Sequence, residues 1–168
     1  MIALHILEIK DFMNKLLLEH TFDHFLLQEA TVQSDVTVTI DGALTPDFYS
    51  GDELEANGLT GLSFVPFGRL RARCFDLIKG KRTPAGFKFI FLLSPDNLAR
   101  TLTKTHSSFS PSDITAMYVN LKFSGGGLQV TNGISYRIFS VDKSLEQEWD
   151  SLVKRFLIKN GIAFEEKL

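Results

Sequence analysis

The chain has 168 residues, 44% hydrophobic and 23% charged, with a formal net charge of −2 at pH 7, which is ordinary for one globular domain. A chain of this length buries roughly 70% of its unfolded surface, so it needs no disulfide or metal staple. No apolar run reaches the roughly 20 residues of a membrane span, and the single cysteine, Cys74, excludes an internal disulfide.

The opening MIALHI reads as a strand. With no cationic leader and a charge by Glu8, it is expected to be neither a signal peptide nor an anchor. Ile9, Phe12, Met13, Leu16 and Leu17 then recur at helical spacing, which predicts an amphipathic helix to about Thr21. FLLQEATVQ and VTVTIDGAL alternate and are rich in β-branched residues, and Asp41-Gly42 is a turn signal. From Tyr49 to Gly61 the polar composition predicts a connecting loop. Pro66 is expected to open a second helix, with Phe67, Leu70, Cys74, Leu77 and Ile78 on its inner side and Gly80 just past its end.

GFKFIFLLS is a further strand, and Ser94-Pro95-Asp96 supplies a capping hydroxyl, a first-turn proline and an acid for the start of a short third helix. ITAMYVNLKF and LQVTNGISYRIFSV flank a Gly125-Gly126-Gly127 turn and complete the sheet. The final helix starts at the box Ser144-x-x-Gln147, carries Leu145, Trp149, Leu152, Val153, Phe156 and Leu157 in one stripe, and stops at Asn160-Gly161. Fifteen phenylalanines against three tyrosines speak for a packed interior.

The order of elements contains one unit twice. A shift of 86 lays IALHI on KFIFL, and a shift of 91 lays Asp41-Gly42 on Asn132-Gly133 and Phe48 on Phe139. The expected fold is α+β: two strand-helix-strands repeats (about 1–50 and 86–141) in a mainly antiparallel sheet with helices on one face, plus a C-terminal amphipathic helix (about 144–160). The connecting loop and second helix fill about 51–85.

Charge is unevenly spread. Arg69 to Lys88 holds seven cations (Arg69, Arg71, Arg73, Lys79, Lys81, Arg82, Lys88) and one acid, Asp76, a local balance of +6 in a chain of −2. Arg69, Arg73, Lys79, Lys81 and Arg82 are therefore the candidate anion-binding or nucleic-acid-binding residues. The plainer account is that cations at a helix C-terminus complement its dipole, with Arg73 pairing Asp76.

Other motifs carry less. His20 and His24 stand four apart with Asp23 nearby, but no third metal ligand is placed. SGGGL lacks the Lys-Ser/Thr of a phosphate loop and reads as a hairpin. Arg71 and Arg73 beside Cys74 would lower its pKa, whereas its inner helical position predicts burial. No catalytic residue, metal or cofactor is assigned.

The blocks TFDHFLLQEA, LIKGKRTP and DKSLEQEWD resemble those of an uncharacterised protein family of clostridial bacteria, over nearly the whole chain. That resemblance implies a bacterial cytoplasmic protein and supplies no activity. The doubled unit, with AMYVNLKFSGGGLQVTNGISYRIFSV shaped like a clamp strand pair, is similar to the DNA sliding-clamp fold. There, helices of six units line a basic channel around duplex DNA, and an outer groove receives short partner peptides. This chain has two units, so a ring would need three copies, and its first helix carries Glu8, Asp11 and Glu19 beside Lys10 and Lys15.

The expected function is a non-enzymatic binding module on a clamp-like scaffold, contacting a protein partner in preference to nucleic acid because the overall charge is slightly negative. A nucleic-acid partner would show as weak, salt-sensitive binding lost when Lys79, Lys81 and Arg82 become alanine. The alternative is an enzyme or small-ligand-binding protein that holds an anionic substrate on LIKGKRTP. A cytoplasmic location, no membrane contact and a homodimer are the accompanying expectations, the last because sheet edges must be covered or paired.

Overall fold

The computed structural model describes residues 1–167. Eight strands form one sheet: β1 (Ala3–Ile6), β2 (Leu26–Gln33), β3 (Thr37–Asp41), β4 (Val65–Pro66), β5 (Gly86–Leu92), β6 (Ile114–Ser124), β7 (Gly127–Tyr136) and β8 (Phe164–Glu166). The order is β3-β2-β5-β6-β7-β1-β8, with β4 also on β2, and every pairing is antiparallel. Five helices accompany it: α1 (Ile9–Leu17), α2 (Gly51–Ala56), α3 (Arg71–Ile78), α4 (Pro95–Lys104) and α5 (Ser144–Lys159).

Alternation along the strands decides which face is buried. Phe87, Phe89 and Phe91 of β5 share a face with Val119, Leu121 and Phe123 of β6, and this face meets the helices. Phe22 bridges the layers, with ring centroids 5.5 Å from those of Phe12, Phe91 and Phe156. The opposite face is polar and has a row running Thr39, Thr31, Lys88, Lys122, Gln129, His5 across six strands.

The strand-helix-strand-strand order occurs twice, as β1-α1-β2-β3 and β5-α4-β6-β7, within one continuous sheet. Pairing is not repeated with it. β5 pairs with β6 of its own unit and with β2, whereas β1 crosses to the far side and pairs with β7 and β8. Asn132, the one polar side chain among the fully buried described residues, fastens that crossing. Its Oδ1 accepts from the Ile2 N–H at 2.9 Å, and its Nδ2 donates to Asp150 on α5 at 2.8 Å.

Several local expectations change. The 49–61 loop contains α2, whose N-cap Ser50 accepts from the Glu53 N–H while Glu53 accepts from that of Ser50. Pro66 ends a strand pair with β2 instead of opening a helix, and a 3-10 turn, Phe67–Arg69, precedes α3. α1 stops at Leu17, short of Thr21. β7 ends at Tyr136, leaving Phe139 92% and Val141 80% exposed where the strand was expected to continue. At the last helix the Ser144 box does not form; Asp142 accepts from the Ser144 N–H at 2.9 Å, and this holds the Asp142 carboxyl below its ordinary pKa.

The glycine turn does form. Gly125 and Gly126, at φ +56° and +77°, make the two-residue loop between β6 and β7. Leu145, Trp149, Val153 and Leu157 bury the α5 stripe on the chain's own sheet, and Trp149 Nε1 donates to the Tyr118 carbonyl at 3.2 Å. No helix among the described residues is long and apolar enough to cross a membrane.

Candidate functional site

β3 and β4 lie end to end on the same side of β2, both antiparallel to it, so they form one edge strand interrupted by residues 43–64. At Gly42, where the chain leaves the sheet, only glycine fits: a Cβ would stand 1.8 Å from the Leu27 carbonyl oxygen. Asp41-Gly42 is thus a departure corner and not a hairpin turn; the hairpin between β2 and β3 turns at residues 34–36 instead, with the Ser34 N–H donating to the Val36 carbonyl. The excursion is closed at its base by the bridge between Ala43 and Phe64 and by the Leu44 N–H donating to Ser63. The resulting lobe carries α2, buries Leu59, and contains Asp47, Asp52, Glu53 and Glu55 but no lysine or arginine.

Between lobe and α3 lies a cleft of about 420 Å³. Ile40, Leu54, Leu59, Val65 and Leu70 give it an apolar lining, and Arg69, Arg73 and Asp41 add charge. Phe48 and Tyr49 also line it, their rings edge to face at 4.9 Å, with Phe48 72% exposed. The 3-10 turn puts Arg69 there because Phe67 beneath it is fully buried against Phe89 and Phe91. Arg73 follows one helical turn on. Arg69 donates to Asn57 Oδ1 at 3.2 Å, and neither arginine forms an ion pair among the described residues.

The other expected anion ligands lie elsewhere. Lys79, not Arg73, takes Asp76, at 2.9 Å, and its Nζ stands 5.7 Å from the Phe75 ring centre. Lys81 and Arg82 are exposed beyond α3 and outside the cleft. Arg71 turns away and donates through Nε to Asp23 at 2.9 Å, while the other Asp23 oxygen is 2.6 Å from His20 Nδ1. His20 and His24 lie beyond α1, so they do not share a helical face. The polar composition of 49–61 does not disclose the lobe's part in the site, although Ser50-x-x-Glu53 signals its helix.

Cys74 is fully buried on the inner side of α3 and burial pushes its thiol up to about 11, so the neighbouring arginines do not activate it. Its folded pKa lies above the ordinary 9.0, so the stability it contributes is complete below about pH 9 and lost as pH rises through about 11. Wild type is expected to lose about 2 kcal/mol more than Cys74→Ala across that window in urea unfolding. Equal losses would show that the thiol ionises freely in the fold.

A family model described as a family of unknown function, DUF5721, matches residues 15–165. The chain belongs to this family. The match takes in the whole cleft, from Ile40 to Arg73, and leaves β1 outside. No curated protein and no solved structure matches the chain.

Proposed function

We propose that the chain is a non-enzymatic binding module on a clamp-like scaffold, and that it takes a short acidic segment of a partner protein in the cleft between the lobe and α3. The observation that carries this is the pair Arg69 and Arg73, without a carboxylate partner among the described residues and beside an apolar lining. Guanidinium groups bind carboxylates through two parallel hydrogen bonds, and an exposed aromatic such as Phe48 is a typical anchor for a partner's side chains. Two strand-helix-strands units in one sheet support the scaffold comparison.

Nucleic acid is the weaker partner on electrostatic grounds. The chain carries a net charge of −2, Lys79 is already paired with Asp76, and Lys81 and Arg82 lie outside the cleft, so no continuous basic track follows a phosphate backbone. A small anionic ligand is the second reading, favoured by a cleft volume within the range of about 300–1,000 Å³ usual for such sites.

Peptides selected on the folded protein from a random heptapeptide display library test the proposal. Enriched sequences are expected to carry Asp or Glu, and Arg69→Ala with Arg73→Ala is expected to weaken them at least tenfold. Lys81→Ala with Arg82→Ala should change affinity less than twofold. Tight binding of duplex DNA that depends on Lys81 and Arg82 would overturn the choice of partner.

A further inference from the structure

The two ends of the sheet differ in how they are finished. β8 is three residues long, contains Glu165 and Glu166 and is followed by Lys167, the short charged ending that discourages further pairing. β3 reads Thr-Val-Thr-Ile-Asp, with no lysine or proline, and Thr37, Thr39 and Asp41 are exposed. Its unpaired groups can be assigned. The Gly42 N–H donates to Gln28 and the Ser34 N–H to the Val36 carbonyl, so hydrogen-bonded pairing with β2 falls on the even-numbered positions. Val38 and Ile40 therefore bond to β2, and the N–H and C=O groups of Thr37, Thr39 and Asp41 point outward.

This free edge runs directly into the cleft, since Ile40 and Asp41 belong to both. We infer that β3 is a strand-addition site: the partner segment binds extended, pairs its backbone with Thr37, Thr39 and Asp41, and delivers an acidic side chain to Arg69 and Arg73 at the end where β3 meets the lobe. The inference rests on the cleft reading and adds the mode of recognition. Backbone pairing supplies affinity with little demand on sequence, and the two arginines select for charge. A segment pairing antiparallel to β3 would place its acid toward its own N-terminus, because β3 runs toward the cleft.

The edge geometry provides a selective test. Thr39→Pro deletes an outward N–H and spares the ladder to β2, so its urea unfolding midpoint should stay close to that of Thr39→Ser. The selected acidic heptapeptide is then titrated against both variants and against the Arg69→Ala, Arg73→Ala protein. Strand addition predicts a loss of at least thirtyfold with Thr39→Pro, little change with Thr39→Ser, and slowed exchange of the Thr37, Thr39 and Asp41 amides on binding. Unchanged affinity for Thr39→Pro with a large loss in the arginine variant would remove strand addition and leave the cleft reading intact. Insensitivity to the arginines, or a library that yields no binder, would remove both. If Thr39→Pro alters the mass in light scattering, the edge is filled by a second copy and the peptide occupant is wrong. Should the proline variant prove unstable, the amide exchange of the wild-type complex decides alone.

Discussion

Phe91→Ala is expected to destabilise the protein by about 4 kcal/mol, read as a shift of the urea unfolding transition. Phe91 is fully buried in β5 and lies at the centre of the aromatic cluster. Its ring centre is 5.0 Å from Phe67, 5.5 Å from Phe22, 5.7 Å from Phe25 and 5.9 Å from Phe89. Truncation removes the transfer energy of the ring, leaves a cavity bounded by four rigid rings that cannot collapse into it, and forfeits several aromatic pairs. Phe91→Leu keeps most of the volume and should cost about half as much. The two changes should also affect the cleft, because Phe67 rests on Phe91 and positions the turn carrying Arg69. A loss under about 1 kcal/mol for Phe91→Ala would show that the cluster adapts and does not hold the turn.

Gly42→Ala is expected to cost about 3 kcal/mol through one methyl group. The added carbon would sit 1.8 Å from the Leu27 oxygen and 2.8 Å from the Leu27 carbonyl carbon, both backbone atoms of a strand fixed on two sides. Relief requires the edge to separate from β2, so the base of the lobe should open as well. Gly133→Ala is the informative comparison. Its Cβ would meet the half-buried Tyr118 ring, the hydroxyl at 2.3 Å and ring carbons at 2.4 and 2.9 Å, a side chain that can rotate away where backbone cannot, so a smaller loss of about 1 kcal/mol is expected. Thermal unfolding of both variants, with binding of the selected peptide, measures the difference; equal costs would mean that β2 yields as readily as a tyrosine ring.

These two glycines also show what the repeat means. Gly42 and Gly133 are 91 positions apart, as are the residues they approach, Leu27 and Tyr118. Both pairs place a glycine against the preceding strand of its own hairpin. Neither Asp41-Gly42 nor Asn132-Gly133 makes a hairpin turn; in both units the glycine leaves room for the preceding strand, for its backbone at Gly42 and for a tyrosine side chain at Gly133. Gly42 releases the chain into the lobe, and Gly133 lets β7 continue beneath a tyrosine.

The periodicities of the sequence were enough for the α+β class, the main strands, α1, α4 and α5, and the glycine turn, because each depends on residues close along the chain. Burial of Cys74 followed in the same way, from its place on the inner stripe of a helix. Even α2 was legible in Ser50 and Glu53, masked by the polar composition around them.

What only the tertiary structure decided is which local elements meet. Seven cations looked like one cluster in the sequence, yet Arg71 turned to Asp23 and Lys79 to Asp76, leaving Arg69 and Arg73 in the cleft. β1 joined β7 across the late unit, and β3 became an edge that shares a cleft with a helix about thirty residues further on. Secondary structure is set by spacing within a few residues, whereas pairing partners are chosen by burying whole faces and satisfying backbone groups across the molecule, and no local pattern contains that choice.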